Sequence, residues 1–336
     1  MERMSVMRTV FVITGLMLLA AGLFWYTESL QADEPAHLGV LLTESSRLDK
    51  LEGIENGLRD LGFHVEDDLV FHVYEEEEDT DALMAMAREM LEADYDLIAA
   101  FGGIEAQVLD VAMEETGLST PVVFVGMAAP LDTGLIESYE RPGTMFTGVA
   151  NHHLNLSAKR LELFTDALPE MDEVIVLYNK EIDISNRSCD VTREAVETLG
   201  IEVVPFDVGT ELDLTALADL AGENTGLLTL PSFIIEGMTG ELADFSRAHD
   251  LPVMGIYDDE VAEGFLMAYG SSFYDQGYQA ARQISLILGG NEASTIPVEL
   301  PDRLLFQVNR DTAAHIGVSL DRDVMRLADE VKGGGD

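Results

Sequence analysis

Apolar and polar positions alternate with two different periods from His37 onward. Short apolar runs rich in Val, Ile and Leu predict strands, and segments of about 10–15 residues with helical apolar spacing predict amphipathic helices. Strands following and preceding helices in this way indicate βαβ units and a parallel sheet. The first such unit has predicted strands at 37–42, 65–74, 97–101 and 122–125, and predicted helices at 48–61, 81–93 and 105–116.

The same pattern then begins again. Ser185 is a plausible N-cap for the helix that follows it, and Gly200 is a typical C-terminal glycine for the same helix. A second α/β unit after the first predicts an α/β protein with two similar lobes. Its predicted strands are 147–149, 174–177, 202–206, 227–230 and 253–256, and its predicted helices are 156–168, 186–199 and 240–249.

The last part of the chain predicts a link between the two units. A long helix at 276–288 ends at two glycines, and 296–300 and 304–308 are predicted as strands that cross between lobes, followed by a short helix at 312–316. Residues 320–336 form an acidic tail that ends in Gly-Gly-Gly-Asp. We expect this tail to lie on the surface or to be frayed.

The N-terminus is typical of an export signal. Arg3 and Arg8 precede an apolar run at 10–26, and polar residues follow the run. The run is long for a signal peptide and short for a membrane span, and Leu30 is a poor residue two positions before a cleavage site at Ala32. Residues 1–32 are therefore a cleaved signal peptide or a retained anchor. Either places the rest of the chain outside the cytoplasm.

The charge balance is strongly acidic. Asp and Glu number 63 against 19 Lys and Arg, which gives a net charge of −44, and the acidic residues are spread along the chain. Repulsion of this size opposes folding unless salt screens it, so we interpret the composition as an adaptation to a saline environment. An acidic patch for a cationic partner is the alternative. Nucleic-acid binding is disfavoured, because no basic stripe is present to contact phosphates.

The sequence contains no recognisable catalytic motif. It lacks a Gly-x-Ser-x-Gly turn, a phosphate-binding glycine loop and a His-Glu-x-x-His helix, and Cys189 is its one cysteine. His152 and His153 are adjacent, and adjacent side chains on a strand point to opposite faces, which disfavours shared metal binding. We therefore expect no enzyme activity, no cofactor and no metal site.

Loops at the carboxyl ends of the predicted strands are the candidate binding residues. In open parallel sheets this edge binds ligands, because helix N-termini and free backbone N–H groups converge there. Hydroxyl and N–H groups suit a carboxylate, and Met127, Phe233 and Tyr257 suit an apolar or aromatic body. The predicted ligand-binding residues are Thr43, Ser45, Ser46, Gly102, Gly103, Met127, Asn151, Asn179, Ser185, Asn186, Ser232, Phe233, Tyr257 and Asp258.

Several short stretches occur in a recognisable order along the chain: 121–126, 129–138, 141–149, 157–164, 174–179, 268–281 and 296–299. Together they resemble the substrate-binding proteins of ABC transporters that include tryptophan- and tyrosine-type uptake proteins. The similarity covers residues 38–316.

This resemblance implies the type I periplasmic-binding-protein fold, in which two Rossmann-like lobes with parallel sheets are joined by three crossings. The crossings are expected near Gly148, Leu266 and Asn291. Lobe 1 then comprises 36–147 and 267–291, and lobe 2 comprises 148–266 and 292–319. A solute bound between the lobes stabilises the closed form only through contacts with both.

The chain departs from the family pattern at two positions. Family members usually carry an acidic residue before the proline at position 130 and an Asp after the proline at position 231, whereas this chain has Ala129 and Ser232. If those acids contact a ligand ammonium, Asp258 or Glu44 is a possible substitute. The identity of the ligand therefore stays open.

The resemblance implies a monomeric, extracytoplasmic solute-binding component of an ABC importer. Its ligand would be an amino acid or a similar small organic molecule, and its partner would be an ABC permease in the membrane. The alternative is an extracytoplasmic sensor or interaction protein that reports its ligand to a signalling membrane protein. A membrane-retained N-terminus would favour that alternative.

Overall fold

The computed structural model describes residues 34–76 and 80–333, so the predicted signal or anchor at 1–32 lies outside the described residues. The strands are β1 Ala36–Leu42, β2 Leu69–Glu75, β3 Leu97–Ala100, β4 Val122–Met127, β5 Phe146–Ala150, β6 Glu173–Tyr178, β7 Glu202–Asp207, β8 Thr225–Thr229, β9 Val253–Gly255, β10 Met267–Gly270, β11 Leu305–Asn309 and β12 Glu330–Lys332.

The α-helices follow in chain order, and two short 3₁₀ helices lie at Ser45–Leu48 and Ala293–Thr295. The α-helices are α1 Asp49–Asp60, α2 Val65–Asp68, α3 Thr80–Glu92, α4 Gly103–Thr116, α5 His153–Ala167, α6 Asp183–Leu199, α7 Leu214–Leu220, α8 Phe233–Gly237, α9 Thr239–His249, α10 Asp258–Glu263, α11 Phe273–Leu288, α12 Arg310–His315 and α13 Arg322–Met325.

Lobe 1 is built on a five-stranded parallel sheet with the order β2-β1-β3-β4-β5. Its central strands are buried on both faces, which explains their continuous apolar sequences. Along β1, Leu38, Val40 and Leu42 join the core beneath α1 and α11, while Leu41 joins the core beneath α3 and α4. The alternating direction of strand side chains thus divides one apolar run between two helical layers.

Lobe 2 is built on a seven-stranded sheet with the order β12-β11-β10-β9-β8-β6-β7. All neighbouring strands are parallel except β10 and β11, which are antiparallel. Phe164 of α5 belongs to the core on one face, and Leu217 of α7 and Leu242 of α9 belong to the core on the other face. The two predicted α/β lobes are therefore present.

The chain crosses between the lobes three times, as expected, and the second and third crossings lie later than predicted. β5 pairs with β4 through Ala150, so the first crossing follows Ala150, close to the predicted position near Gly148. β10 pairs with β9 and β11 in the second sheet, so the second crossing follows Gly270 and not Leu266. Glu299 bridges to Val149 of the first sheet, so the third crossing follows Glu299.

The expected tail at 320–336 is structured over most of its length. Residues 322–325 form α13, and β12 pairs in parallel with β11 as an edge strand of the second sheet. Asp329 Oδ2 accepts a hydrogen bond from the Phe306 amide at 2.8 Å, which holds this segment against the sheet. The acidic sequence did not predict β12, because this strand forms by pairing with β11 and not through local apolar spacing.

Helices α1 and α11 approach closely because glycines line their contact. A Cβ on Gly53 would lie 2.2 Å from the Tyr274 carbonyl oxygen, and a Cβ on Gly277 would lie 1.9 Å from the Lys50 carbonyl oxygen. Real side chains cannot approach backbone atoms so closely. This contact therefore fixes the distance between the two helices and the position of Lys50, which lies in the first turn of α1.

Gly277→Ala is expected to destabilise the fold by about 1–3 kcal/mol, because the added methyl group must push α11 away from α1. Gly240→Ala is the matched control. Gly240 lies on the exposed face of α9 with open space around it, so its replacement is expected to be neutral or to stabilise by up to about 1 kcal/mol. Urea unfolding of both variants measures the difference. Equal midpoints would contradict the close-packing argument.

Acidic side chains lie almost entirely on the surface. Among the described residues, Glu105 and Glu260 are the acidic side chains that the core buries. Most ion pairs of the described residues are exposed, and exposed pairs contribute little each. The net charge of −44 is therefore spread over the surface as mutual repulsion that neighbouring cations only partly offset.

The unfolding temperature is expected to rise with KCl between about 0.1 M and 1 M, because the Debye length falls from about 10 Å to about 3 Å over that range. A variant with the exposed residues Glu194, Glu197 and Glu202 changed to Gln is the control. It lacks three negative charges and therefore has less repulsion for salt to screen. It should melt higher than the parent at low salt and converge with it at high salt. A flat or falling salt profile in calorimetry would contradict the repulsion argument.

Candidate functional site

A cleft with a volume of about 590 Å³ lies between the lobes, at the carboxyl ends of their strands. Lobe 1 contributes residues that follow β1, β3 and β4, and lobe 2 contributes residues that follow β6, β8 and β9. The crossing after β5 adds Asn151 and His153. This is the edge at which free helix N-termini converge in parallel sheets. The cleft is therefore the candidate binding site.

Seven of the fourteen residues predicted from the sequence line this cleft. They come from five different strand ends and from both lobes, so the two halves of the prediction meet in one site. These residues are Gly102, Gly103, Met127, Asn151, Ser232, Phe233 and Tyr257.

Three other predicted residues are buried behind the cleft wall and hold the loops in place. Thr43 donates its hydroxyl to Glu105 at 2.9 Å, and its amide donates to the same carboxylate. Asn179 donates its side-chain amide to the Gly209 carbonyl at 2.6 Å. Ser185 accepts the Asn179 amide from inside the first turn of α6, so it is not the N-cap that its sequence position indicated.

The remaining four predicted residues lie away from the cleft lining. Ser45, Ser46 and Asn186 are exposed on the first turns of their helices. Asp258 begins α10, and its backbone carbonyl accepts a hydrogen bond from Lys332 at 3.1 Å. A helix start following a strand places only part of its first turn toward the ligand edge, and sequence alone does not indicate which part.

Sequence reasoning missed seven charged or titratable residues of the cleft: Arg47, Lys50, Asp110, His153, Glu181, Asp183 and Glu236. A signal for two of them was present. Lys50, Ile54 and Leu58 follow helical spacing and are all buried, with Arg47 three positions earlier. A cation on the apolar face of a helix is unusual, because burying it without partners is costly.

Arg47 joins the two lobes through ion pairs. Its Nη1 lies 2.7 Å from Glu105 of lobe 1, and its Nη2 lies 2.6 Å from Glu236 of lobe 2. Burial works against the charged guanidinium, but Glu236 and Glu105 together outweigh burial and raise the pKa of Arg47 above its ordinary value. The pair between Arg187 of α6 and Asp132 is a second ionic contact between lobes. The lobes are therefore in contact across the cleft.

Lys50 forms part of the cleft floor. Its Nζ donates to the carbonyl oxygens of Phe101 at 2.6 Å and Val125 at 2.9 Å, and it lies 4.8 Å from the centre of the Phe273 ring. Burial, together with the nearby charge of Arg47, lowers the pKa of Lys50 to about 7. The floor of the cleft thus contains a cation whose direct partners are neutral groups.

Aromatic rings close one end of the cleft. Tyr257 of lobe 2 packs on Phe273 of lobe 1 with ring centres 4.2 Å apart, and it contacts His153 edge-to-face at 5.1 Å. Burial, with the charge of Glu236 added, raises the pKa of Tyr257 well above its ordinary value. Tyr257 is therefore a neutral phenol with an apolar face available to a ligand.

Two long helices begin at the cleft without side-chain caps. Gly102 precedes α4 in lobe 1 and Ile182 precedes α6 in lobe 2, and neither first turn is capped by a side-chain hydrogen bond. A side chain at position 102 would meet Arg47 Nη1 at 2.5 Å, which explains the glycine there. Helix N-termini attract negative groups, so both lobes present anion-binding potential to one space.

Residues 37–332 match the sequence model of the family described as ABC transporter substrate binding protein. The chain belongs to this family. A curated relative, the tyrosine-binding protein of Clostridioides difficile, is 24% identical over 273 residues, which cover 81% of this chain and 77% of the relative.

Solved structures of the same fold confirm the architecture. The ABC domain in complex with L-Trp from Streptococcus pneumoniae superposes with a TM-score of 0.80 at 20% identity, covering 88% of this chain and 99% of that chain. A ligand-free, open substrate-binding protein from Clostridium difficile has a TM-score of 0.66 at 20% identity, covering 90% of this chain and 100% of that chain. This substrate-binding protein thus has the expected type I periplasmic-binding-protein fold.

Glu236→Ala is expected to destabilise the closed form by about 2–5 kcal/mol, because it removes the lobe 2 partner of a buried guanidinium. The matched control is Glu241→Ala, which removes the same charge from an exposed position on α9. Small-angle X-ray scattering of ligand-free protein should show a larger radius of gyration for Glu236→Ala alone. Identical scattering from both variants would contradict a closing role for this ion pair.

Proposed function

We propose that this protein is the extracytoplasmic solute-binding component of an ABC importer that captures an amino acid, with an apolar or aromatic side chain, between its lobes. It then delivers the solute to an ABC permease, and it performs no chemistry on it. The family match supports the transport role, and the tyrosine-binding and L-Trp-complexed relatives support an amino-acid ligand. Neither the family nor these relatives favour the sensor alternative.

The observation that carries this proposal is one cleft lined by both lobes with complementary chemistry. Uncapped starts of α4 and α6 suit a carboxylate, and Met127, Phe233 and Tyr257 offer apolar surface for a side chain. A solute that contacts both lobes stabilises the closed form by its differential affinity. This is the physical basis of capture and release by hinged lobes.

The ligand ammonium needs a carboxylate partner, and the two positions that are usually acidic in the family carry no carboxylate in this chain. Ala129 lines the cleft without a charge, and Ser232 accepts the Ile235 amide as the N-cap of α8. Asp110 of α4 does line the cleft, and burial with the charge of Glu114 raises the pKa of its carboxyl. We propose Asp110 as the partner of the ammonium, in place of Asp258 or Glu44.

The extracytoplasmic location is part of the same proposal. Binding components of importers work outside the cytoplasm, and residues 1–32 have the composition of an export signal or an anchor. Within residues 34–76 and 80–333, no helix has the length and apolar character needed to cross a membrane. The strongly acidic surface supports a saline environment for this exported domain.

Isothermal titration against L-tyrosine, L-tryptophan, L-phenylalanine and L-leucine tests the function. We expect at least one to bind, and Phe233→Ala to weaken it by about 1–3 kcal/mol through lost apolar contact. Leu220→Ala, an exposed apolar change in lobe 2, is the control and should leave affinity unchanged. If none of the four binds, the amino-acid proposal fails. If Phe233→Ala binds normally, the assigned cleft is wrong.

A further inference from the structure

His153 lies at the first position of α5 and lines the cleft, although its side chain is fully buried. His152 precedes it in the sequence, and the predicted strand geometry disfavoured a metal site shared by the two histidines. His152 is the N-cap residue before the helix, in the left-handed conformation with φ of 61°, and it does not line the cleft. His153 therefore needs a separate explanation.

The hydrogen bonds of Arg160 determine which nitrogen of His153 carries the proton. Arg160 Nη2 lies 2.9 Å from His153 Nδ1. A guanidinium has only donors, so Nδ1 must accept and must be unprotonated. A neutral imidazole then carries its proton on Nε2. Burial and the charges of Arg160 and Lys50 lower the pKa of His153 well below its ordinary value, which is consistent with the neutral ring.

The Nε2 proton has no acceptor among the described residues, although the atom is buried. A buried donor without a partner is costly, and native proteins rarely leave one. The nearest aromatic neighbour is Tyr257, in edge-to-face contact, and an aromatic face is a weak acceptor. An oxygen atom of a molecule in the cleft would satisfy this donor.

The charges around His153 favour an anionic oxygen. Lys50 and Arg160 are both buried, and neither has a carboxylate within ion-pair distance among the described residues. Arg160 instead donates to the carbonyl oxygens of Tyr269 and His153. Lys50 on the cleft floor and Arg160 beside His153 thus have no carboxylate partner of their own, and a bound carboxylate would supply one.

We propose that His153 donates its Nε2 proton to the carboxylate of the bound solute, and so distinguishes carboxylate-bearing solutes from the corresponding amines. Arg160 is the positioning residue that fixes the tautomer. This assignment rests on the proposed solute-binding function and adds a recognition group to it. It also places the carboxylate at the floor of the cleft, between His153 and Lys50.

Two substitutions distinguish the role of the Nε2 hydrogen-bond donor from the packing role of the His153 ring. His153→Gln keeps an N–H group near the position of Nε2, whereas His153→Phe keeps a ring and removes the donor. The probes are L-tyrosine and L-tryptophan, with tyramine and tryptamine as their analogues that lack the carboxylate. We expect His153→Phe to weaken amino-acid binding about 10-fold to 100-fold, which is the range for a hydrogen bond to a charged group.

Amine binding should change little in His153→Phe, and His153→Gln should recover part of the amino-acid affinity. Loss of affinity for amines and amino acids alike would indicate a structural role and overturn the proposal. Unchanged amino-acid binding in His153→Phe would overturn it as well. If His153→Phe fails to fold, the Gln variant and the spectra of the unmodified protein decide.

Imidazole ¹⁵N spectra of the unmodified protein test the tautomer directly. We expect His153 to be protonated at Nε2 without ligand, and its Nε2 signal to move when a carboxylate binds. An Nδ1-protonated ring, or an Nε2 signal that no carboxylate moves, would overturn the proposal. If neither amino acid binds, the proposed function fails in its amino-acid form, and acetate as a bare carboxylate still tests His153 in the same spectra.

Discussion

The buried guanidinium of Arg47 is the interaction on which the arrangement of the two lobes depends. Glu105 neutralises it from lobe 1 and Glu236 from lobe 2, and the side chains of all three are almost fully withdrawn from water. Removing either acid leaves charge buried without full compensation, which costs far more than an exposed ion pair contributes. Ion pairs therefore contribute to the free energy of closure, and contacts with the solute do not have to supply the whole of that free energy.

The cleft floor behind this bridge is unusual in so acidic a chain. Lys50 and Arg160 are cations held by carbonyl oxygens, in a protein whose surface is otherwise negative. A negative surface repels anions at long range, whereas the Lys50 ammonium on the cleft floor attracts a carboxylate at short range once water is excluded. Entry and binding are thus governed by different charges. High salt screens the long-range repulsion by the surface much more than the short-range attraction inside the cleft.

The close contact of α1 with α11 connects the fold to this site. Glycines at 53, 57 and 277 allow two helices from distant parts of the sequence to touch, and Lys50 projects from the end of that contact. Phe273 at the start of α11 then meets Tyr257 of the other lobe. Helix packing in lobe 1 therefore sets the geometry of the floor and of the aromatic junction between lobes.

The sequence by itself determined the two α/β lobes and the strand-end loops, because apolar periodicity and turn residues act locally. It placed Gly102, Met127, Phe233 and Tyr257 in one cleft for that reason. Only the tertiary structure decided the lobe of β10, whose short apolar sequence suits either sheet. It also decided the pairing of Arg47 with Glu236, which are 189 residues apart, and the tautomer of His153. Such partners are set by how distant elements pack, and no local pattern records them.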